Sequence, residues 1–135
     1  MERLIDTSLW IELGRRHVPP VIRLQAQSEI ARPGGCLCDP VIFELRRGSR
    51  FEERRKLERE FTKFRLLPSP HDLWLQAALL GQRCRDRGFT VGALDLLIAT
   101  VARHHDAEII TFDADFSLIA QAEPKLRVQV LARAT

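Results

Sequence analysis

Short apolar runs alternate with longer amphipathic stretches along this chain, and that alternation predicts its elements. Arg3-Leu4-Ile5, Cys36-Leu37-Cys38, Arg65-Leu66-Leu67, Glu108 to Phe112 and Arg127 to Leu131 are brief and apolar enough to be buried strands. Between them lie segments with helical spacing: one from Asp6-Thr7-Ser8, then Val21 to Ile30, Val41 to Arg47 after Asp39-Pro40, and a charged helix over Phe51 to Phe64. Ser69-Pro70-His71-Asp72 is a start signal, with Ser as N-cap, Pro at the first helical position and Asp in the first turn. The helix it introduces puts Leu73, Ala77, Leu80, Gly81 and Cys84 on one face and ends at Gly88. Helices over Ala93 to His105 and Ala114 to Gln121 complete the pattern. Short apolar strands alternating with helices predict an α/β sandwich with a mostly parallel sheet.

At 135 residues the chain fits one domain, spanning 1–135, with enough length for a hydrophobic core unaided by disulfides. Its three cysteines, Cys36, Cys38 and Cys84, have neither a redox nor a zinc spacing and read as reduced structural thiols. No apolar run approaches the roughly 20 residues of a membrane span, and after Arg3 only Leu4-Ile5 precede Asp6, unlike a signal peptide. These features predict a cytoplasmic protein without a membrane partner. The net charge of +3 is modest, but residues 46 to 65 hold nine basic and four acidic side chains. That stretch reads either as a phosphate-backbone footprint or as a solvated helix face laced with Glu–Arg pairs.

Four carboxylates fall in apolar settings. Asp6 and Asp113 directly follow strands, at the sheet edge where α/β proteins bind ligands. Asp95 lies within Ala93-Leu94-Asp95-Leu96-Leu97-Ile98-Ala99, and Glu44 within Val41-Ile42-Phe43-Glu44-Leu45. Singly, Asp6 and Asp113 could cap the helices after them, Asp95 could favour its helix dipole, and Glu44 could sit on an exposed stripe. Brought together, each close pair would repel by about 4 kcal/mol at an effective dielectric near 20, so the set would need protons or a cation. All-oxygen ligands favour hard ions such as Mg²⁺ or Mn²⁺ over zinc.

Leu4-Ile5-Asp6-Thr7-Ser8, Glu44-Leu45-x-x-Gly48, Gly92-Ala93-Leu94-Asp95-Leu96-Leu97-Ile98-Ala99 and Ile110-Thr111-Phe112-Asp113-Ala114-Asp115-Phe116 resemble, in order, the motifs of PIN-domain nucleases. In size and in extent of match the chain resembles the VapC toxins of bacterial toxin–antitoxin pairs. The resemblance implies a three-layer α/β/α sandwich, Mg²⁺ or Mn²⁺ as cofactor, and hydrolysis of RNA by a metal-activated water. It implies Asp6, Glu44, Asp95 and Asp113 as the catalytic acids, with Asp6 and Asp95 as direct metal ligands, Glu44 and Asp113 completing the set directly or through water, and Asp115 as an alternative or additional ligand to Asp113. Thr7, Ser8 and Thr111 match hydroxyl positions that would orient carboxylates. It implies a homodimer and a cognate antitoxin whose tail masks the acidic cleft.

Arg46, Arg47 and Arg50 closely follow Glu44 and are expected to line the approach and hold RNA phosphates. His17, His71 and the adjacent pair His104-His105 read as surface or capping residues, and Trp10 and Trp74 as core or dimer anchors. No Gly-rich phosphate loop is present, and Ser8 stands where an aspartyl-phosphate phosphatase would need its second acid. Two other readings stay open: a catalytically silent RNA- or protein-binding module on the same scaffold, and a DNA-directed nuclease.

Overall fold

In the computed structural model, which describes residues 1–133, five strands form a wholly parallel sheet: β1 (Arg3–Ile5), β2 (Gly35–Leu37), β3 (Arg65–Leu66), β4 (Glu108–Thr111) and β5 (Arg127–Val130). Their spatial order is β3-β2-β1-β4-β5, with Leu4 registered between Cys36 and Ile109. Parallel strands need crossover connections, and seven helices among the described residues supply them. These are α1 (Thr7–Gly14), α2 (Pro20–Ala31), α3 (Asp39–Gly48), α4 (Arg54–Phe61), α5 (Leu73–Asp86), α6 (Ala93–His105) and α7 (Asp115–Ala122). Successive strand residues face opposite sides of the sheet. Ile5 and Ile110 therefore pack with Leu9, Ile22 and Ala26 of α1 and α2. Leu4 and Ile109 join the larger cluster containing Leu80 and Cys84 of α5, Ile98 and Val101 of α6, and Phe116 and Ile119 of α7. Helices cover both faces, and α3 contacts both α1 and α6.

The chain runs outward from β1 through β2 to β3, then crosses to the far side of β1 for β4. That reversal opens a crevice between the carboxyl ends of β1 and β4, the position at which open α/β sheets bind ligands. Two expected helix starts differ from the structure. The charged stretch after Ser49 divides into a 3₁₀ turn over Phe51–Glu53 and the shorter α4. Helix α5 begins at Leu73, and Ser69 does not cap it. Leu67 still bonds Leu37 O along the sheet (2.8 Å), and Leu73 N–H closes a turn on Pro70 O (3.0 Å) before the helix starts. Pro68 to Asp72 is used in turning the chain off the sheet edge. No helix among the described residues is long and apolar enough to cross a membrane.

Candidate active site

Asp6 leaves β1 and caps α1, accepting the Ser8 N–H at Oδ2 (3.3 Å). The same oxygen accepts the Thr111 hydroxyl (2.8 Å), which ties the ends of β1 and β4 together. Thr111 Oγ1 also accepts the Asp113 N–H (2.9 Å) and lies 3.2 Å from Ser8 Oγ, which in turn accepts the Phe112 N–H (2.9 Å). Thr7 donates to Glu44 Oε1 (3.0 Å), linking α1 to α3. These hydroxyls satisfy buried backbone donors and fix the carboxylates at once, so the loops after β1 and β4 have little freedom. Asp113 Oδ1 accepts the Asp115 N–H (2.9 Å) at the start of α7. Asp6 and Asp113 thus both serve helix starts at the carboxyl ends of β1 and β4.

Around this frame the acids converge. Asp95, in the first turn of α6, Asp113 and Asp115 each offer a carboxylate oxygen within 4.8 Å of the others. Asp95 is half-buried, Asp115 is exposed, and Asp6 is almost fully buried. Burial pushes the Asp95 carboxyl up to about 7, aided by the negative charges of Asp6, Asp113, Glu44 and Asp115. Glu44 is raised as well, chiefly by desolvation and against the Thr7 hydrogen bond, with Asp6 and Asp113 adding repulsion and Arg47 opposing it. Desolvation also raises Asp6, against the hydrogen bonds from Thr111 and Ser8. Five carboxylates from four parts of the chain therefore share one electrostatic environment. The Asp95–Asp113–Asp115 set could hold a metal ion, and its all-oxygen donors suit a hard divalent cation.

A family model described as PIN domain matches residues 3–122. The chain belongs to the PIN-domain family. This PIN domain is 33% identical over 124 residues to the VapC ribonuclease Mb1587 of Mycobacterium bovis, covering 87% of this chain and 91% of that one. It is 29% identical over 109 residues to ribonuclease VapC21 of Mycobacterium tuberculosis, covering 78% and 79%. Its fold matches VapBC2 from Rickettsia felis, solved bound to a DNA fragment from its promoter (TM-score 0.76, 20% identity, 98% and 100% coverage). It also matches VapBC-5 of Mycobacterium tuberculosis, a member of the VapBC family of toxin–antitoxin systems (TM-score 0.68, 20% identity, 96% and 98% coverage).

Within this PIN domain the three arginines after Glu44 separate. Arg46 makes a two-pronged pair with Glu58 of α4 (2.9 and 2.7 Å) and lies over Phe61 with its guanidinium 5.7 Å from the ring centroid. Arg50 pairs with Glu53 and reaches Gly14 O at 3.4 Å. Arg47 lies over Phe43 with its guanidinium 5.8 Å from the ring centroid. Trp10 packs edge-on against Phe64, whereas Trp74 stands on the surface. Sequence reasoning passed over Cys38 as a neighbour of the site. It follows β2 as Asp6 follows β1, and that shared position was the available signal. Its buried thiol is pushed up to about 12, mainly by desolvation, with Asp39, Asp6 and Glu44 adding to the effect. Cys38 is thus a neutral wall behind the acids.

Proposed function

We propose that this PIN domain is a Mg²⁺- or Mn²⁺-dependent endoribonuclease and the toxin of a type II toxin–antitoxin pair, acting in the cytoplasm. The observation that carries the reading is the approach of Asp95, Asp113 and Asp115 carboxylate oxygens to within 4.8 Å of one another, with Asp6 and Glu44 close enough for their charges to act on Asp95. Like charges packed this closely are matched by a cation better than by protons at neutral pH. Asp95, Asp113 and Asp115 are the residues suited to hold it, with Asp6 and Glu44 beside them. When bound, a divalent ion supplies positive charge to a phosphodiester and makes water a better nucleophile at neutral pH. Thr111 and Thr7 hold one oxygen each of Asp6 and Glu44, leaving the second oxygen of each carboxylate for the cation or for water. The ribonuclease names of the relatives and the antitoxin complexes among the structural neighbours support the same assignment. A homodimer belongs to this reading too.

Hydrolysis by water, without use of the RNA 2′-hydroxyl, is expected to leave 5′-phosphate and 3′-hydroxyl ends. The test is cleavage of single-stranded RNA by the purified protein with Mg²⁺, with Mn²⁺ and with a chelator, followed by end mapping. Asp95→Asn and Asp6→Asn should each lower cleavage by about 100-fold or more while the thermal transition persists. Undiminished cutting by either variant overturns the reading. Preferential cutting of single-stranded DNA in the same assay would move it to a DNA-directed nuclease.

A further inference from the structure

Arginines 46, 47 and 50 look alike in the sequence but not in the fold. Arg46 is engaged by both oxygens of Glu58, a geometry that fixes the guanidinium plane, and it joins α3 to α4. Arg50 is engaged by Glu53 and by the last carbonyl of α1. Arg47 forms no salt bridge among the described residues. Its guanidinium is held over the exposed Phe43 ring one helical turn back, and its charge is felt at Glu44. Phe43 and Arg47, with Asp39, Ile42 and Arg46, line a shallow groove of about 500 Å³ on the outer side of α3.

We infer that Arg47, carried on Phe43, seats a backbone phosphate of the single-stranded RNA beside the acidic crevice, while Arg46 and Arg50 are structural. The inference rests on the ribonuclease reading and adds the residue that positions its substrate. A polyanion approaching five carboxylates meets repulsion unless a cation stands at the entrance. Arg47 is the arginine of the three that a phosphate can take without displacing a carboxylate. Attraction to the face of the Phe43 ring, 5.8 Å away at its centroid, favours this placement of the side chain before the substrate arrives, so less rotamer freedom is lost on binding. The guanidinium also presents a planar fork of donors suited to a phosphate.

The test measures fluorescence anisotropy of a labelled single-stranded RNA of about 12 nucleotides, bound to Asp95→Asn protein over a range of salt concentrations. On that background Arg47→Ala should weaken binding by about tenfold and reduce the slope of log affinity against log salt by about one. Arg47→Lys should recover most of the slope and only part of the affinity. Arg46→Ala and Arg50→Ala should change affinity by less than about twofold and lower the melting temperature slightly instead. In the cleaving protein, Arg47→Ala should raise KM more than it lowers kcat. Unchanged affinity and salt slope in Arg47→Ala, with RNA cleavage otherwise normal, overturn the inference and leave the ribonuclease reading standing. Equal losses for all three arginines overturn it in favour of a diffuse basic surface. A parent protein that neither binds nor cuts RNA overturns both.

Discussion

A carboxyl group that keeps its proton up to about pH 7 makes ion binding depend on pH, and Asp95 is such a group. Its ordinary value is 3.8, so between about pH 4 and 7 the folded, metal-free protein holds a proton that the unfolded chain releases. The folded state then binds more protons, and stability falls as pH rises through that window. Without metal, the protein should melt at a higher temperature at pH 5 than at pH 8, and saturating Mn²⁺ should shrink the difference at pH 8. Binding the ion at Asp95 must displace the proton, so apparent affinity should rise by up to about tenfold per pH unit below 7 and level off above it. Titration calorimetry with Mn²⁺ in two buffers of different ionisation enthalpy should find proton release at pH 6 and much less at pH 8. Equal affinity at both pH values, with no proton released at pH 6, would sink this account. The raised Glu44 and Asp6 act in the same direction. These acids were legible in the sequence because a carboxylate among aliphatic residues needs a reason to be there. The pairing of Arg46 with Glu58 was not, because it depends on how α4 returns against α3.

Helix α6 carries Asp95, and its position is set by α5 packed against it. A Cβ built on Gly81 would meet Leu96 Cδ1 at 3.0 Å, so the two helices approach through a missing side chain. Gly81→Val should force Leu96, and with it the first turns of α6, away from α5. Overpacking of this kind costs about 1–3 kcal/mol. A few degrees off the melting temperature are expected, together with weaker Mn²⁺ binding at temperatures where the variant is folded. A lowered melting temperature with unchanged ion affinity would show that α6 holds Asp95 independently of this contact. Ala93 to His105 was readable end to end, since apolar spacing continues from Gly92 to the left-handed Asp106. Helix α4 was not, because Glu52 and Glu53 extend the polar pattern without a helical partner face, and the chain there forms a 3₁₀ turn instead. Start signals at Ser69 failed for a related reason: local capping chemistry was present, but β3 and Leu67 require a turn first.

The surface of the molecule divides its charges and its apolar side chains. Basic residues crowd the stretch from Arg46 to Arg65, acids gather at the crevice, and α5 turns apolar residues outward. Trp74, Leu75 and Leu79 are 74%, 59% and 37% exposed; Leu75 and Leu79 lie one turn apart on the same side of the helix, with Trp74 flanking them. The sequence placed Trp10 and Trp74 in the same class, because both have apolar neighbours along the chain. Only the fold separates them, sending Trp10 against Phe64 and leaving Trp74 in solvent. Uncharged side chains offer nothing to RNA phosphates, whereas apolar side chains exposed near one another gain by being covered in a protein contact. For the homodimer of the proposed reading, this side of α5 is the surface to test. Trp74→Glu would replace the most exposed large apolar side chain of α5 by a charge and should convert a dimer to a monomer in light scattering after size exclusion. Its Mn²⁺ affinity should be unchanged, because Trp74 takes no part in the acidic cluster. A parent protein that is monomeric at every concentration, or a Trp74→Glu variant that stays dimeric, would remove α5 as the contact. The acids would still converge within each single chain, so the site does not depend on that outcome.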